Sequence, residues 1–362
     1  MEKMALKSEF WKGKKVLLTG HTGFKGSWLS LWLKKLGVEL IGYSKDIPST
    51  PSLFELAQIS EDMISISGDI KDIDNLKKTM IEHKPEIVIH MAAQSLVRKS
   101  YENPIDTFET NVLGTANLLQ VVKETEHTQV FVNVTSDKCY ANTSNEISGF
   151  SEDFPMGGYD PYSSSKGCAE LVTSAYRNSF FNPNEFEKHN ISLSSVRAGN
   201  VIGGGDWGKD RLIPDIINGI SKKQSIEIRN PNFIRPWQFV LDALNGYLIL
   251  AEKMWKNGKD FSEAWNFGPE EKDCKTVQWV LENMSNKWNN AFSWGKNLSN
   301  NNPHESKILK LNCTKAHKRL GWHTKLTVDE TIQWTIDWYR EYLNDSDMKI
   351  VSENQIEKFL SQ

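Results

Sequence analysis

The stretch KKVLLTGHTGFKG, residues 14–26, constrains the fold more than any other part of the chain. Its apolar run reads as a buried parallel strand, and GSWLSLWLKKLG (26–37) that follows reads as an amphipathic helix closed by Gly37. Between them Gly20, Gly23 and Gly26 stand three residues apart. A tight turn, a backbone that must approach a pyrophosphate and a helix packed hard on its strand each require a residue without Cβ. The helix N-terminus then offers N–H donors and a positive dipole end to an anion. Gly20, Thr22, Gly23, Phe24, Lys25 and Gly26 are therefore candidate contacts for a dinucleotide.

The same alternation continues. VELIGYS, PEIVIHMAA, QVFVNVTS and ISLSSVRAGNVIG read as strands, and DNLKKTMIEHK, TFETNVLGTANLLQVVKET and 162–180 read as helices between them. Strands separated by helices of this length argue for right-handed βαβ units, hence an α/β, Rossmann-type doubly wound parallel sheet. From about residue 203 the strands shorten, the loops carry Gly, Asn and Pro, and helices rich in Trp and Leu dominate.

The bulk numbers exclude several classes. A net charge of -3 gives no general attraction to nucleic acid or an anionic membrane. No apolar run approaches the ~20 residues that span a bilayer, and the N-terminus has no apolar core of a secretory signal. The expectation is a cytoplasmic protein. Cys139, Cys168, Cys274 and Cys313 are far apart and form no metal-binding pair, so no metal is expected.

Further along the dinucleotide path, Ser44 occupies the end of the second strand, where an acid commonly holds a ribose 2′-OH, and Asp46 follows two residues later. No arginine stands there to take a 2′-phosphate. In SGDIKD, Asp69 and Ile70 are placed to edge and cover an adenine, and Asp69 or Asp72 also suits a helix N-cap.

Two motifs carry chemistry. TSDKCY puts a hydroxyl (Ser136), an acid (Asp137) and a base (Lys138) at the end of a buried strand. YSSSK puts Tyr162 and Lys166 four residues apart, on one helix face with Cβ atoms roughly 5–6 Å apart. A nearby ammonium favours a phenolate, and each pK unit below ~10 asks about 1.4 kcal/mol of it. Hydroxyl, phenol and lysine together suit a proton transfer coupled to a hydride transfer.

In that order, the glycine turn, HMAAQSLV, NPIDTFETNVLGTANLL, TSDKCY and YxxxK resemble the extended short-chain dehydrogenase/reductase superfamily over nearly the whole chain. RAGNVIGGGDWGKDRLIPDI, FIRPWQFVLDALNGYL and NFGPE are most similar to its CDP-glucose branch of sugar-nucleotide 4,6-dehydratases. The resemblance implies NAD as a retained cofactor and CDP-glucose as substrate. It implies an NAD-binding domain over 1–190 with a later chain return at about 235–270, and a smaller, mainly substrate-binding domain over 191–362. It implies that Ser136, Tyr162 and Lys166 serve the hydride steps and Asp137 the loss of water. Related dehydratases carry a glutamate where this chain has Lys138, which serves either as the C5 base or as a cation steadying an enolate. A 4-epimerase needs neither Asp137 nor Lys138, and a non-catalytic dinucleotide sensor needs none of the five.

Ala92 and Ala93 are expected beside the nicotinamide ribose, with Gln94 and Ser95 facing the hexose. Arg211 and Arg235 are expected on the diphosphate or nucleotide, joined by Asn200, Asp206, Asn266 and His304. The helices around 109–126 and 162–180 carry Val112, Leu118, Val122, Leu171 and Val172. In the resembling family these two helices pair across a two-fold into a four-helix bundle, which implies a homodimer.

Overall fold

The structure, a computed structural model, describes residues 8–142, 149–289, 291–296 and 305–362. Seven strands form the central sheet: β1 (Lys15–Thr19), β2 (Glu39–Ser44), β3 (Ile64–Ser67), β4 (Ile87–His90), β5 (Val130–Val134), β6 (Ser192–Ala198) and β7 (Ala264–Phe267). Their spatial order is β7-β6-β5-β4-β1-β2-β3, and every pairing is parallel. The order reverses between β1 and β4, whose last residues Thr19 and His90 are register partners. Ligands of open α/β sheets bind at such a switch point, beyond the carboxyl ends of the strands.

Parallel strands need crossovers, and four helices supply those that matter here: α1 (Phe24–Lys35), α2 (Ile73–His83), α3 (Gly114–Thr125) and α4 (Pro161–Ser179). Each boundary has a local cause. Gly37, at φ +79°, closes the end of α1 and donates its N–H to the Lys34 carbonyl. Asp72 caps α2 by accepting the Asn75 N–H at 3.1 Å, leaving Asp69 at the strand end. Asp160 caps α4 by accepting the Ser163 N–H at 2.9 Å, with Pro161 in the first turn.

The sheet is covered on both faces. Leu17, Val88 and Phe131 point to one side and pack with Leu118, Val121 and Val122 of α3. Their neighbours Leu18, Ile89 and Val132 point to the other, against α1 and α5 (Val240–Lys256). That larger core takes in Trp11, Trp28, Trp32, Trp265, Trp322 and Trp338, all fully buried. The strand β6 lies beyond the expected boundary at 190, because the sheet needs it between β5 and the returning β7. The remainder adds helices, among them Val328–Leu343 and Met348–Ser361, and short two-stranded ladders such as Ile234–Pro236 antiparallel to Cys274–Thr276.

Leu118 and Val122, expected on an intersubunit face, instead point into the sheet and are fully buried. The exposed apolar groups on this side are Ile105, Leu113 and Leu171. Helical phase decides this, since residues three or four apart share a face and the sheet claims one of them. Among the described residues no helix is long and apolar enough to cross a membrane.

Candidate active site

The strand β5 delivers the reactive stretch. After Val134 the chain stays extended through Ser136, then tightens into a 3₁₀ turn over Asp137–Cys139. Ser136 causes the tightening, for its Oγ accepts the Lys138 N–H at 3.2 Å. The same hydroxyl donates to Asp137 Oδ1 at 3.1 Å. Asp137 Oδ2 is buried and has no hydrogen-bond partner among the described residues. The start of α4 then brings in Tyr162, whose N–H is fixed by Ser100 Oγ at 3.1 Å. Lys166, one turn on, places Nζ 3.4 Å from the Val134 carbonyl. Ser136, Asp137, Tyr162 and Lys166 are all buried.

Burial sets the electrostatics. It pushes the Asp137 carboxyl above its ordinary range, against the pull of Lys138. It lowers Lys138, and Arg235 lowers it further while Asp137 and Glu305 oppose. The cation that lowers Lys138 is Arg235, which comes from a distant segment of the chain. Burial raises the Tyr162 phenol to about 12 while its hydrogen-bond partner Ser136 pulls it down, as does Arg211. Burial lowers Lys166 to about 8, opposed first by Glu170. An acid pushed up and a lysine pushed down, adjacent in the chain, are the kind of pair an acid–base step uses.

The glycine turn closes on the same point. Gly20 sits at φ +74°, where a Cβ would lie 2.7 Å from the Ala92 N atom. A Cβ on Gly26 would lie 2.1 Å from the Gly20 carbonyl oxygen, so this glycine allows the helix to pack. On Gly23 the tightest contact would be 3.4 Å, so its missing side chain leaves room for a ligand rather than for the protein. The N-terminus of α1 has no side-chain cap, leaving its first N–H groups available. This donor set and open cradle fit a dinucleotide pyrophosphate.

Around the turn, Thr22 Oγ1 donates to the Asp46 carbonyl at 2.7 Å, and Ser44 Oγ lies 3.0 Å from His21 Nδ1. Asp69 accepts the Lys71 N–H at 3.0 Å and pairs with Lys45. Ile70 is buried, and its side chain packs on Gly114 of α3. The Ala92 N–H donates to Thr19 Oγ1 at 3.1 Å, and Ala93 follows it, half-buried. Phe24 points toward Gly203. The ammonium of Lys25 stands 5.8 Å from the ring centroid of Tyr247, a residue of α5, and burial with Lys166 and Arg211 lowers its pKa to about 7.

Beside Asp137 and Lys138 opens a cavity of about 210 Å³, with Asp160, Ser163, Arg235 and Glu305 also on its wall. Arg235 is anchored on the Ser306 carbonyl at 2.8 Å and faces Glu305 at 3.5 Å. Arg211 is held through both oxygens of Asp206 at 3.1 Å and reaches Ser95 Oγ at 3.2 Å. Asp206 thus acts through Arg211. The Asn200 carbonyl accepts the Gln238 N–H at 3.0 Å.

Two expected substrate contacts are placed otherwise. Gln94 spends its amide on Thr107 Oγ1 and on the Leu96 carbonyl and N–H, so it shapes its own loop. Asn266 is fully buried, accepts from Tyr140 and donates to the Phe150 and Asn312 carbonyls, so it faces the interior. Both are buried polar groups that must be paired, Gln94 within its own loop and next helix, Asn266 with distant segments. His304 lies outside the described residues. Glu305 is a site residue that the sequence did not flag. Its signal is the set of partners Arg229, Asn230 and Arg235, which folding brings across from a distant segment.

Comparison with known proteins agrees with this geometry. The family model described as GDP-mannose 4,6 dehydratase matches residues 17–335. The CDP-glucose 4,6-dehydratase of Salmonella typhimurium is 52% identical over 97% of this chain and 98% of that protein. The dTDP-glucose 4,6-dehydratase of Haemophilus influenzae is 24% identical over 90% of this chain and 97% of that protein. The crystal structure of a dTDP-glucose 4,6-dehydratase from Bacillus anthracis in complex with NAD shares the fold, with a TM-score of 0.75 at 21% identity over 91% of this chain and 97% of that one. A match that spans both the glycine turn and the catalytic strand end, with a relative this similar from end to end, means that the chain belongs to the GDP-mannose 4,6 dehydratase family.

Proposed function

We propose that this protein is a CDP-glucose 4,6-dehydratase, a hydro-lyase that converts CDP-glucose to CDP-4-keto-6-deoxyglucose and water with NAD. The observation that carries the reaction type is Asp137, a buried acid on the cavity wall beside Lys138, its carboxyl pushed above the ordinary range by burial and one of its oxygens accepting no hydrogen bond among the described residues. An epimerase has no use for it. The cytidine preference is supported by the relative that is 52% identical.

Gly20, Thr22, Gly23, Phe24, Lys25 and Gly26 would hold the NAD pyrophosphate, Ser44, Asp69 and Ile70 its adenosine end, and Ala92 and Ala93 the nicotinamide ribose. When bound there, NAD would supply the acceptor for the C4 hydride and the donor of a hydride to C6. The chain's own groups move the protons. Tyr162, steadied by Ser136 and the Lys166 ammonium, takes the C4 hydroxyl proton as the ketone forms. The ketone acidifies C5–H. Lys138 removes that proton or, staying charged, steadies the enolate oxygen. Asp137 gives its proton to the C6 hydroxyl, which leaves as water. A proton returned to C5 completes the 4-keto-6-deoxy product. Arg211 and Arg235 hold the diphosphate, as planar forks suited to its oxygens.

A homodimer through α3 and α4 is supported by Leu113 and Leu171, 56% and 59% exposed on adjacent helices. A cytoplasmic setting is supported by four unpaired cysteines. The test of function is incubation with CDP-glucose, dTDP-glucose, UDP-glucose and GDP-mannose separately, reading the 4-keto-6-deoxysugar by its near-ultraviolet absorbance in alkali. CDP-glucose should turn over at least about tenfold faster, the factor that 1.4 kcal/mol of discrimination gives. Faster turnover of another nucleotide would reassign the substrate, and none at all would refute the reaction.

A further inference from the structure

Next to the reactive segment lies a buried polar network that the reaction as described does not use, and of its members Tyr140 alone, among the described residues, also lines the cavity. The helix α4 carries Tyr162, Lys166 and Glu170 at successive four-residue steps, so the three share one face. Glu170 and Arg197, on β6, are both buried and form an ion pair at 2.7 Å. Glu170 Oε1 accepts from Thr135 Oγ1, and Oε2 accepts from Ser195 Oγ at 2.7 Å. Arg197 Nη1 donates to the Tyr140 hydroxyl at 2.7 Å and to the Glu152 carbonyl at 3.0 Å. Thr135 and Tyr140 are the residues that flank Ser136, Asp137, Lys138 and Cys139 on either side.

A buried ion pair is weak evidence of stability, because desolvating two charges offsets most of their attraction. Its placement suggests another use. One pair grips both ends of a four-residue segment on which two catalytic side chains and the Ser136 hydroxyl depend. The same carboxylate lies one helical turn from Lys166. We propose that Glu170 is a positioning residue: with Arg197 it fixes the segment 135–140, and its fixed negative charge keeps Lys166 protonated.

The electrostatic half is consistent with the groups that face Lys166. Those are Glu170 on its own helix, Cys139 on the 3₁₀ turn, Lys25 on α1 and His90 on β4. Glu170 is the strongest influence raising it against burial. Glu170 in turn is faced by Arg197 and Arg177, and Arg197 holds it ionised.

The inference rests on the dehydratase reading above, so its test is made on enzyme whose wild type turns over CDP-glucose. An inactive wild type counts against the reading, and an active wild type with unchanged variants counts against the inference. The first variant, T135V/Y140F, deletes the two hydroxyls that tie the segment to the pair but leaves both charges in place. It should lose about tenfold or more in kcat, the scale of a sub-ångström misplacement, with KM changed less than about twofold and the pH profile unmoved. The second, Glu170→Gln, should lower kcat and also shift the alkaline limb of the profile to lower pH, because an uncharged neighbour no longer opposes the burial of Lys166. The ¹³C resonance of the Lys166 ε-carbon, followed against pH without substrate, should titrate below the wild-type midpoint. Wild-type kcat in T135V/Y140F overturns the positioning role. An unmoved Lys166 titration in Glu170→Gln overturns the electrostatic one. If Glu170→Gln does not fold, T135V/Y140F decides the positioning role, and Glu170→Asp, which keeps the charge but draws it back from Lys166, carries the electrostatic one: its Lys166 midpoint should fall below wild type, and an unmoved midpoint overturns that role.

Discussion

Replacing Asp137 by asparagine removes one transferable proton and changes almost no volume. The surroundings show why the fold should survive. Oδ1 accepts from Ser136, which an amide oxygen does equally well, and Oδ2 has no hydrogen-bond partner among the described residues that an amide nitrogen would offend. The wild-type carboxyl is already held above its ordinary range by burial, so a neutral group suits the site. What is lost is the general acid for the C6 hydroxyl. Such groups contribute ~10²–10⁴ in rate, or about 2.7–5.4 kcal/mol of barrier. The oxidation at C4 depends on Tyr162 and Lys166, which the change leaves alone. Mixing Asp137→Asn with CDP-glucose should therefore convert bound cofactor to its reduced form, seen by its near-ultraviolet absorbance, while product appears at least about a hundredfold more slowly. In wild type the reduced form should be transient. Product at a wild-type rate would mean that the acid lies elsewhere, and a variant that neither reduces cofactor nor makes product would place Asp137 in the first step instead.

Three other outcomes follow from the geometry. Tyr162→Phe and Lys166→Ala should each lose most activity while circular dichroism stays native; in wild type the rate should fall as pH rises through about 8, where the lowered Lys166 loses the charge that supports Tyr162. At Lys138, a C5 base predicts that Lys138→Met slows both C5 deuterium wash-in and elimination and that wild-type elimination quickens as its lowered pKa is passed from below, whereas an enolate stabiliser predicts that Lys138→Arg retains activity and alkali does not help. Paired Leu113→Glu and Leu171→Glu substitutions should give a monomeric mass by sedimentation at micromolar concentration; a monomeric wild type or an unchanged variant dimer contradicts the interface.

The residues the sequence reading placed well are those whose signal is local. The glycine turn joins one strand to one helix, and its three roles divide among Gly20, Gly23 and Gly26 by their immediate backbone surroundings. The four-residue spacing of Tyr162 and Lys166 fixes their shared face wherever the helix goes. Ser136, Asp137 and Lys138 follow β5 without a gap, so the end of that strand sets where they lie.

Contacts across the chain were not legible in this way. Gln94 and Asn266 belong to suggestive motifs, yet burial turns both amides inward, Gln94 onto its own loop and Asn266 onto distant segments, while Ser95 next to Gln94 meets Arg211. Nothing near Glu305 or Glu170 announces a role, because their partners Arg235 and Arg197 arrive from separate strands. Even the lowered Lys138 owes its shift to burial and Arg235, neither of which is a property of its own segment. Amino-acid sequence by itself determined the α/β class and the glycine cradle, and it put the five candidate side chains on one strand end and one helix face, since each depends on spacing along the chain. Tertiary structure alone decided which polar groups face the cavity and which charges tune them, because desolvation and pairing depend on what the rest of the chain brings alongside.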